Sequence, residues 1–390
     1  MLQPNESFVY IFSWSLKSGK PGLGLYRFRD DTGTLTFVGM LEEELSYGYA
    51  AVDAGRGILY CGVDTPKHPA LRAGGGGSLR AYQIDPETGA IRLLSEVSTC
   101  CPQPSYVSVD PKGRFVLVSM HSTMDSVTKA EKDAFGNLHT RVEFSDSGVA
   151  IFALEEDGSI GRLLDFNIHT GSGPKPRQLQ PHAHCAVLAP RGDLFTACDK
   201  GNDGIYMYRI GAQGKLSLPD GAPYHNRPGT APRYCAFHPT RPFLFHNNEM
   251  ELEIDSYRYD EQGGLEHLAT IPVLPADCAV PEGERCGQQD FQIDRSGRYL
   301  YAMVHGFYNG LSVFEIDQET AQLTFLQFAP ISGVWARDFA FSPDQRYLVT
   351  ACLSSGDIES FSIGQDGRLT PTGHRCSQSA AACVVFYKPS

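Results

Sequence analysis

The sequence predicts an all-β chain folded as a single seven-bladed β-propeller, four antiparallel strands to a blade, across residues 1–390. Three observations predict it: a hairpin signature that recurs seven times, a second hairpin that recurs six times ahead of it, and chain ends that each hold what the other lacks. A chain of 390 residues needs two or three ordinary cores, or a small unit repeated about an axis. Its 40 Gly and 25 Pro imply many turns, which disfavours a helical bundle.

The first signature is a short aromatic or aliphatic strand, a polar turn usually carrying Gly, and a Leu or Ile opening the next strand. It reads YRFRDDTGTL (26–35), YQIDPETGAI (82–91), FALEEDGSI (152–160), YRIGAQGKL (208–216), YRYDEQGGL (257–265), FEIDQETAQL (314–323) and FSIGQDGRL (361–369). The closing residues Leu35, Ile91, Ile160, Leu216, Leu265, Leu323 and Leu369 stand 46 to 69 positions apart. That exceeds one hairpin and fits a four-stranded sheet per repeat, which is a propeller blade. With strands named A to D in chain order, this signature is the C–D hairpin.

The second unit alternates apolar and polar residues about a Pro, Asp or Gly turn, the pattern of an A–B hairpin. Its copies are YAAVDAGRGILYCGV, YVSVDPKGRFVLVSM, HCAVLAPRGDLFTACD, RYCAFHPTRPFLFHNNE, DFQIDRSGRYLYAMVH and RDFAFSPDQRYLVTACL. The first repeat has no A strand. The chain opens with FVYIFSW as a B strand and closes with ACVVFYKP as a spare A strand, so the two ends complete one blade and remove an exposed sheet edge.

Strand direction then selects the functional face. If A runs away from one face and B returns to it, the starts of A, the B–C loops and the D–A connections share that face, and the other carries tight turns. The long insertions agree: 64–77 with its GGGG run, 121–147, and 273–288. The insertion at 121–147 is expected on the binding face, covering the pocket or supplying contacts to it. The GGGG run is read as a loop hinge, because no GK[ST] follows it and no βαβ unit surrounds it.

A formal charge of −12 repels phosphate backbones, so nucleic acid is not an expected partner. The first twenty residues lack a basic start followed by an apolar segment, and no apolar run approaches a membrane span; a cytoplasmic setting without membrane attachment is expected. The eleven cysteines are odd in number, show no CxxC pair and sit mostly in apolar runs, as reduced core residues do. No GxSxG, HExxH or Walker sequence is present, which removes the commonest hydrolase and nucleotide readings.

Counting six back from each A–B turn residue gives Gly48, Ser105, His184, Arg233, Gln289 and Arg337 at equivalent A-strand starts; counting ten forward gives His121, Glu249 and His305 at B-strand ends. Asp199 ends the B strand of its own blade. His182 and His184 in PHAH face the same way on a strand, as a metal pair or a base with its orienting partner would. No third ligand stands at matching spacing, so neither a metal nor any other cofactor is expected. Two arginines at one channel mouth suit a carboxylate or phosphate, although pairs with Glu249 and Asp338 would explain them equally.

The strings QPHAHCAVLAPRGDLFTACDKGNDGIYMYRI, APRYCAFHPTRPFLFHNNE and WARDFAFSP together resemble the lactonase family of seven-bladed propellers, which includes a 6-phosphogluconolactonase and the fungal carboxy-cis,cis-muconate lactonising enzyme. The likeness runs over nearly the whole chain. It implies a metal-free site in which His182 or His184, Arg233 and Glu249 carry the chemistry, with Asp199 and Asp203 of the D-x-G-x-D motif supporting the loop beside the histidines. On this reading a histidine is the base, Arg233 clamps the oxyanion or a carboxylate, and Glu249 is a partner acid/base or orients Arg233. His121, Asp290, His305 and Arg337 complete the set as substrate-binding residues. This chain has Gln289-Asp290-Phe291 where the family commonly has AEI, and His305 where it has Arg, which weakens the case for a phosphorylated sugar lactone. The expected function is hydrolysis or reversible formation of the lactone of a sugar acid or other small acid, by a monomer or weak homo-oligomer. A lactonising cycloisomerase and a non-catalytic binding propeller are the alternatives.

Overall fold

The computed structural model describes residues 2–15, 19–64 and 76–389. Gly74 and Gly75 of the hinge expected at 74–77, and most of the 64–77 insertion, lie outside the described residues. Seven sheets form the ring, and consecutive strands pair antiparallel within each. The ends meet as the sequence requires: Glu6–Ser13 pairs with Ala381–Tyr387, in the register Phe8↔Tyr387 to Phe12↔Cys383. Blade 1 is therefore three N-terminal strands and one C-terminal strand. The only helical turn among the described residues is a 3-10 turn at Ala212–Gly214.

The C–D turn does more than reverse the chain. Tyr10, Tyr60 and Tyr301, all on B strands, donate their hydroxyls to the carbonyls of Gly89, Gly158 and Gly367 in the next blade's C–D turn, at 2.8, 2.7 and 2.8 Å. The glycine is required there. At Gly158 φ is +79°, and a Cβ would lie 2.0 Å from Ile58 Cδ1. The recurring Gly thus lets one blade press against the next, and the buried tyrosines keep their polar end satisfied. The cores between blades are built of such side chains, among them Phe8, Phe12, Tyr47 and Phe245, all fully buried. Each contributes roughly 1.5–3 kcal/mol relative to exposure.

A bulge interrupts the A–B ladder at the counted A-strand starts. Pairing skips between Tyr47 and Tyr49, Pro104 and Tyr106, Pro232 and Cys235, Gln288 and Phe291, and Ala336 and Asp338. Gly48, Ser105, Arg233, Gln289 and Arg337 fall in these gaps. A bulge leaves its extra residue out of the ladder and bends the strand, which frees the side chain from strict alternation.

Blade 4 departs from the expected pattern. Its A strand shrinks to Val187–Leu188, preceded by an isolated bridge between Ala183 and Asp199, and its outer edge is two short pieces, Leu216–Ser217 and Tyr224–His225. The PHAH histidines therefore flank a single bridge to the B strand, His184 N–H donating to the Cys198 carbonyl at 2.8 Å and Lys200 N–H to the His182 carbonyl at 3.2 Å, rather than lying on a continuous strand. The 121–147 insertion folds into a hairpin, Ser126–Lys132 with Leu138–Phe144, whose side chains are mostly exposed, Phe135 at 91%. Its root, not its body, reaches the histidines.

Candidate active site

Asp199 ends the B strand of blade 4 and fixes the segment opposite. Its Oδ1 accepts the backbone N–H groups of His182 (2.6 Å) and Gly201 (2.9 Å). Gly201 must be glycine, since a Cβ would meet the Gln180 carbonyl oxygen at 2.0 Å. Oδ2 of Asp199 meets Nδ1 of His169 at 2.7 Å, and His169 Nε2 reaches the Tyr208 hydroxyl at 3.0 Å. Asp203 works on the next loop: Oδ1 accepts from Gln178 Nε2 and Ala231 N, and Oδ2 from Gly229 N, at 2.7 to 2.8 Å. It thereby ties the chain before PHAH to the chain just before Arg233.

The insertion root closes round His182. Its Nδ1 donates to the His121 carbonyl at 2.8 Å and lies 3.1 Å from Ser122 Oγ. The proton is then on Nδ1, and the lone pair is on Nε2, which is buried without a partner. The His121 ring stacks on His182, centroids 4.3 Å apart and planes at 18°. His184 stands edge-on to His121 at 5.5 Å and to Tyr234 at 5.1 Å, its Nδ1 buried and unpartnered. Burial, reinforced by the nearby cations, holds His121 and His184 far below the usual imidazole range, and burial lowers His182 as well. All three rings are neutral at neutral pH.

Across from them, Glu249 gathers three cations. Its Oε2 lies 3.0 Å from Lys200 Nζ and 3.4 Å from Arg233 Nε, and Oε1 lies 3.6 Å from Arg177. Burial would raise the Glu249 carboxyl, but Lys200, Arg233 and Arg177 overcome it and hold the group at about 2. Lys200 is pushed down to about 8 by burial, against the pull of Glu249. Arg233 is 2% exposed, and its Nε and Nη1 have no hydrogen-bond partner. A buried guanidinium with idle donors is an anion or oxyanion socket.

His182, His184, His121, Arg233, Glu249 and His305 converge. His305 stacks on Trp335 at 5.2 Å and is lowered to about 4, chiefly by burial. Arg337 sets its guanidinium 4.6 Å over the Trp14 ring, near enough for its charge to act on Arg233 and His184, and Trp14 in turn donates to Asp64 Oδ2 at 2.6 Å. Asp290 is turned into the seam between blades 6 and 7, where Gln292 Nε2 (2.6 Å) and the backbone of Phe291 (2.8 Å) take its oxygens. Burial there raises its carboxyl to about 6. Sequence counting did not reach Lys200, Arg177, His169 or Trp335. Lys200 stands ten residues past Pro190, so the count that gives His121, Glu249 and His305 finds it once it is applied to blade 4; the others sit on loops with no register to count. Beneath the site Tyr49 stacks on Tyr106 at 4.2 Å, with Tyr234 beside them. A cavity of about 600 Å³ lies below these tyrosines towards the Pro190 and Pro239 turns. Its wall contains none of the His, Arg and Glu group.

The family model described as "Lactonase, 7-bladed beta-propeller" matches residues 9–386. The chain belongs to this lactonase family. Among its relatives, this lactonase-family chain is 28% identical to a 6-phosphogluconolactonase of Bacillus subtilis (strain 168) over 340 residues, 87% of this chain and 86% of that one. It is 22% identical to a 6-phosphogluconolactonase of Formosa agariphila, covering 90% and 91%. The periplasmic gluconolactonase of Pseudomonas aeruginosa superposes with a TM-score of 0.82 at 23% identity, over 98% of this chain and 99% of that one, a likeness of fold. The convergence of His184, Arg233 and Glu249 is thus set in a lactonase propeller.

Proposed function

We propose that the protein hydrolyses the lactone of a sugar acid or another small acid bearing an anionic group, without a metal. The observation that carries this reading is the buried Arg233 guanidinium, with idle donors beside Glu249 and facing neutral histidines. His184 is the base: neutral, unencumbered at Nδ1 and nearest in charge terms to Arg233. His182, pinned at Nδ1 and covered by His121, positions the ring stack. Water attacks the lactone carbonyl as His184 takes its proton, and Arg233 receives the oxyanion. Glu249 stays ionised at neutral pH and orients Arg233 instead of donating a proton. Neutral histidines suit water activation better than the proton donation to carbon that a cycloisomerase needs. Their burial with Arg233 suits an enzyme better than a broad docking surface.

The test is a panel of sugar lactones, phosphorylated and not, together with unsaturated dicarboxylic acids, followed by proton release at constant pH with chelator present. Acceleration with at least one lactone is expected. Acceleration with the unsaturated acids alone, or with nothing, would overturn the reading.

A further inference from the structure

Lactone opening breaks the bond between the carbonyl carbon and the ring oxygen, and that oxygen leaves as an alkoxide that must gain a proton. The groups converging at the site leave few donors. His121, His182, His184 and His305 are neutral, Glu249 is ionised, and an arginine does not give up its proton in a protein. Asp290 is occupied within a blade seam. Lys200 remains. Its ammonium is 3.0 Å from Glu249 Oε2, that carboxylate is its one hydrogen-bond partner among the described residues, and two of its three N–H groups are unspent. It is buried on the same rim as Arg233, and its charge is felt by all four histidines.

We propose that Lys200 is the general acid that protonates the departing ring oxygen. The inference rests on the lactonase reading. One proton passes from water to His184 as the new C–O bond forms and the carbonyl π pair moves to oxygen against Arg233. The tetrahedral centre then collapses, the ring C–O bond breaks with its pair on the ring oxygen, and Lys200 Nζ–H supplies the second proton. The proton on His184 returns through solvent to the neutral amine, and the product carboxyl releases its own. Glu249, with Arg233 and Arg177 about it, keeps the ammonium in place between turnovers, while burial holds Lys200 near 8, where a general acid works close to neutral pH.

The decisive comparison is Lys200→Arg, which keeps the charge but not a transferable proton, measured on the full chain with the lactone turned over fastest. The wild-type kcat should fall as pH rises through about 8. In Lys200→Arg, kcat should drop at least about a hundredfold with KM changed little, and that alkaline limb should vanish. Lys200→Ala should regain turnover with added ethylammonium, which also serves if the arginine variant does not fold. A Lys200→Arg enzyme with normal kcat, or with a raised KM alone, would make Lys200 a charge anchor and overturn the proposal while leaving the lactonase reading intact. A wild-type protein that opens no lactone would overturn both.

Discussion

The carboxylate of Asp199 accepts the backbone N–H of His182 at 2.6 Å, so a residue at the end of one strand sets the path of the singly bridged chain that carries both histidines. The same carboxylate also holds Gly201 and His169. Loss of this group strands several buried donors at once.

Asp199→Ala should therefore lower both stability and turnover. Two buried backbone N–H groups lose their acceptor, each at about 1–3 kcal/mol, so the loss should reach at least about 2 kcal/mol. Urea unfolding measures it. A variant as stable as the wild type would show that the loop holds its path without Asp199.

His184→Ala and Arg233→Lys should behave differently. Neither side chain makes a hydrogen bond that the fold depends on, so melting temperature should change little while turnover falls at least about a hundredfold. Lysine keeps charge at position 233 but loses the planar fork. Activity lost only in step with melting temperature would assign these residues to the scaffold. Glu249→Gln should lose both, because Lys200 and Arg233 are then left buried without their counter-ion.

Stability should fall as pH drops below about 6.5. His121, His184 and His305 have folded values lowered from 6.5, to about 4 for His305, so between the folded and unfolded values the unfolded chain binds more protons. Stability thus rises with pH through that window and is lost on acidification. Denaturation midpoints at pH 7, 6 and 5 should decline in order. A flat series would mean that these rings take up protons without cost.

Lys200→Met should melt no lower than the wild type at pH 7. The ammonium is harder to keep charged in the fold than in water even with Glu249 beside it, so removing it relieves a cost at the expense of function. A drop of several degrees would show that the pair with Glu249 outweighs burial.

Deleting residues 381–390 removes the strand that closes blade 1 and exposes the edge of Glu6–Ser13. Aggregation or a large drop in melting temperature is expected, seen by light scattering and thermal unfolding. A truncated chain that melts like the full one would mean that the ring does not need this closure.

The ring was legible in the sequence because blade repeats are local. The C–D signature, the A–B alternation and the permuted ends each follow from strand period and turn chemistry within about fifty residues, so counting along the chain brought His184, Arg233, Glu249 and His305 to one rim. Three things depended on tertiary structure. The bulges that release Arg233 and Arg337 from the ladder arise from pairing between strands, which no single-strand pattern encodes. Blade 4 gives up most of its A strand because Asp199 and the insertion root take over His182 through distant contacts. The protonation states that divide the roles, an ionised Glu249, neutral histidines and a softened Lys200, come from burial and from charges brought together by folding. Residue type alone does not set them, since a side chain's pKa answers to the dielectric and the neighbours that the fold supplies.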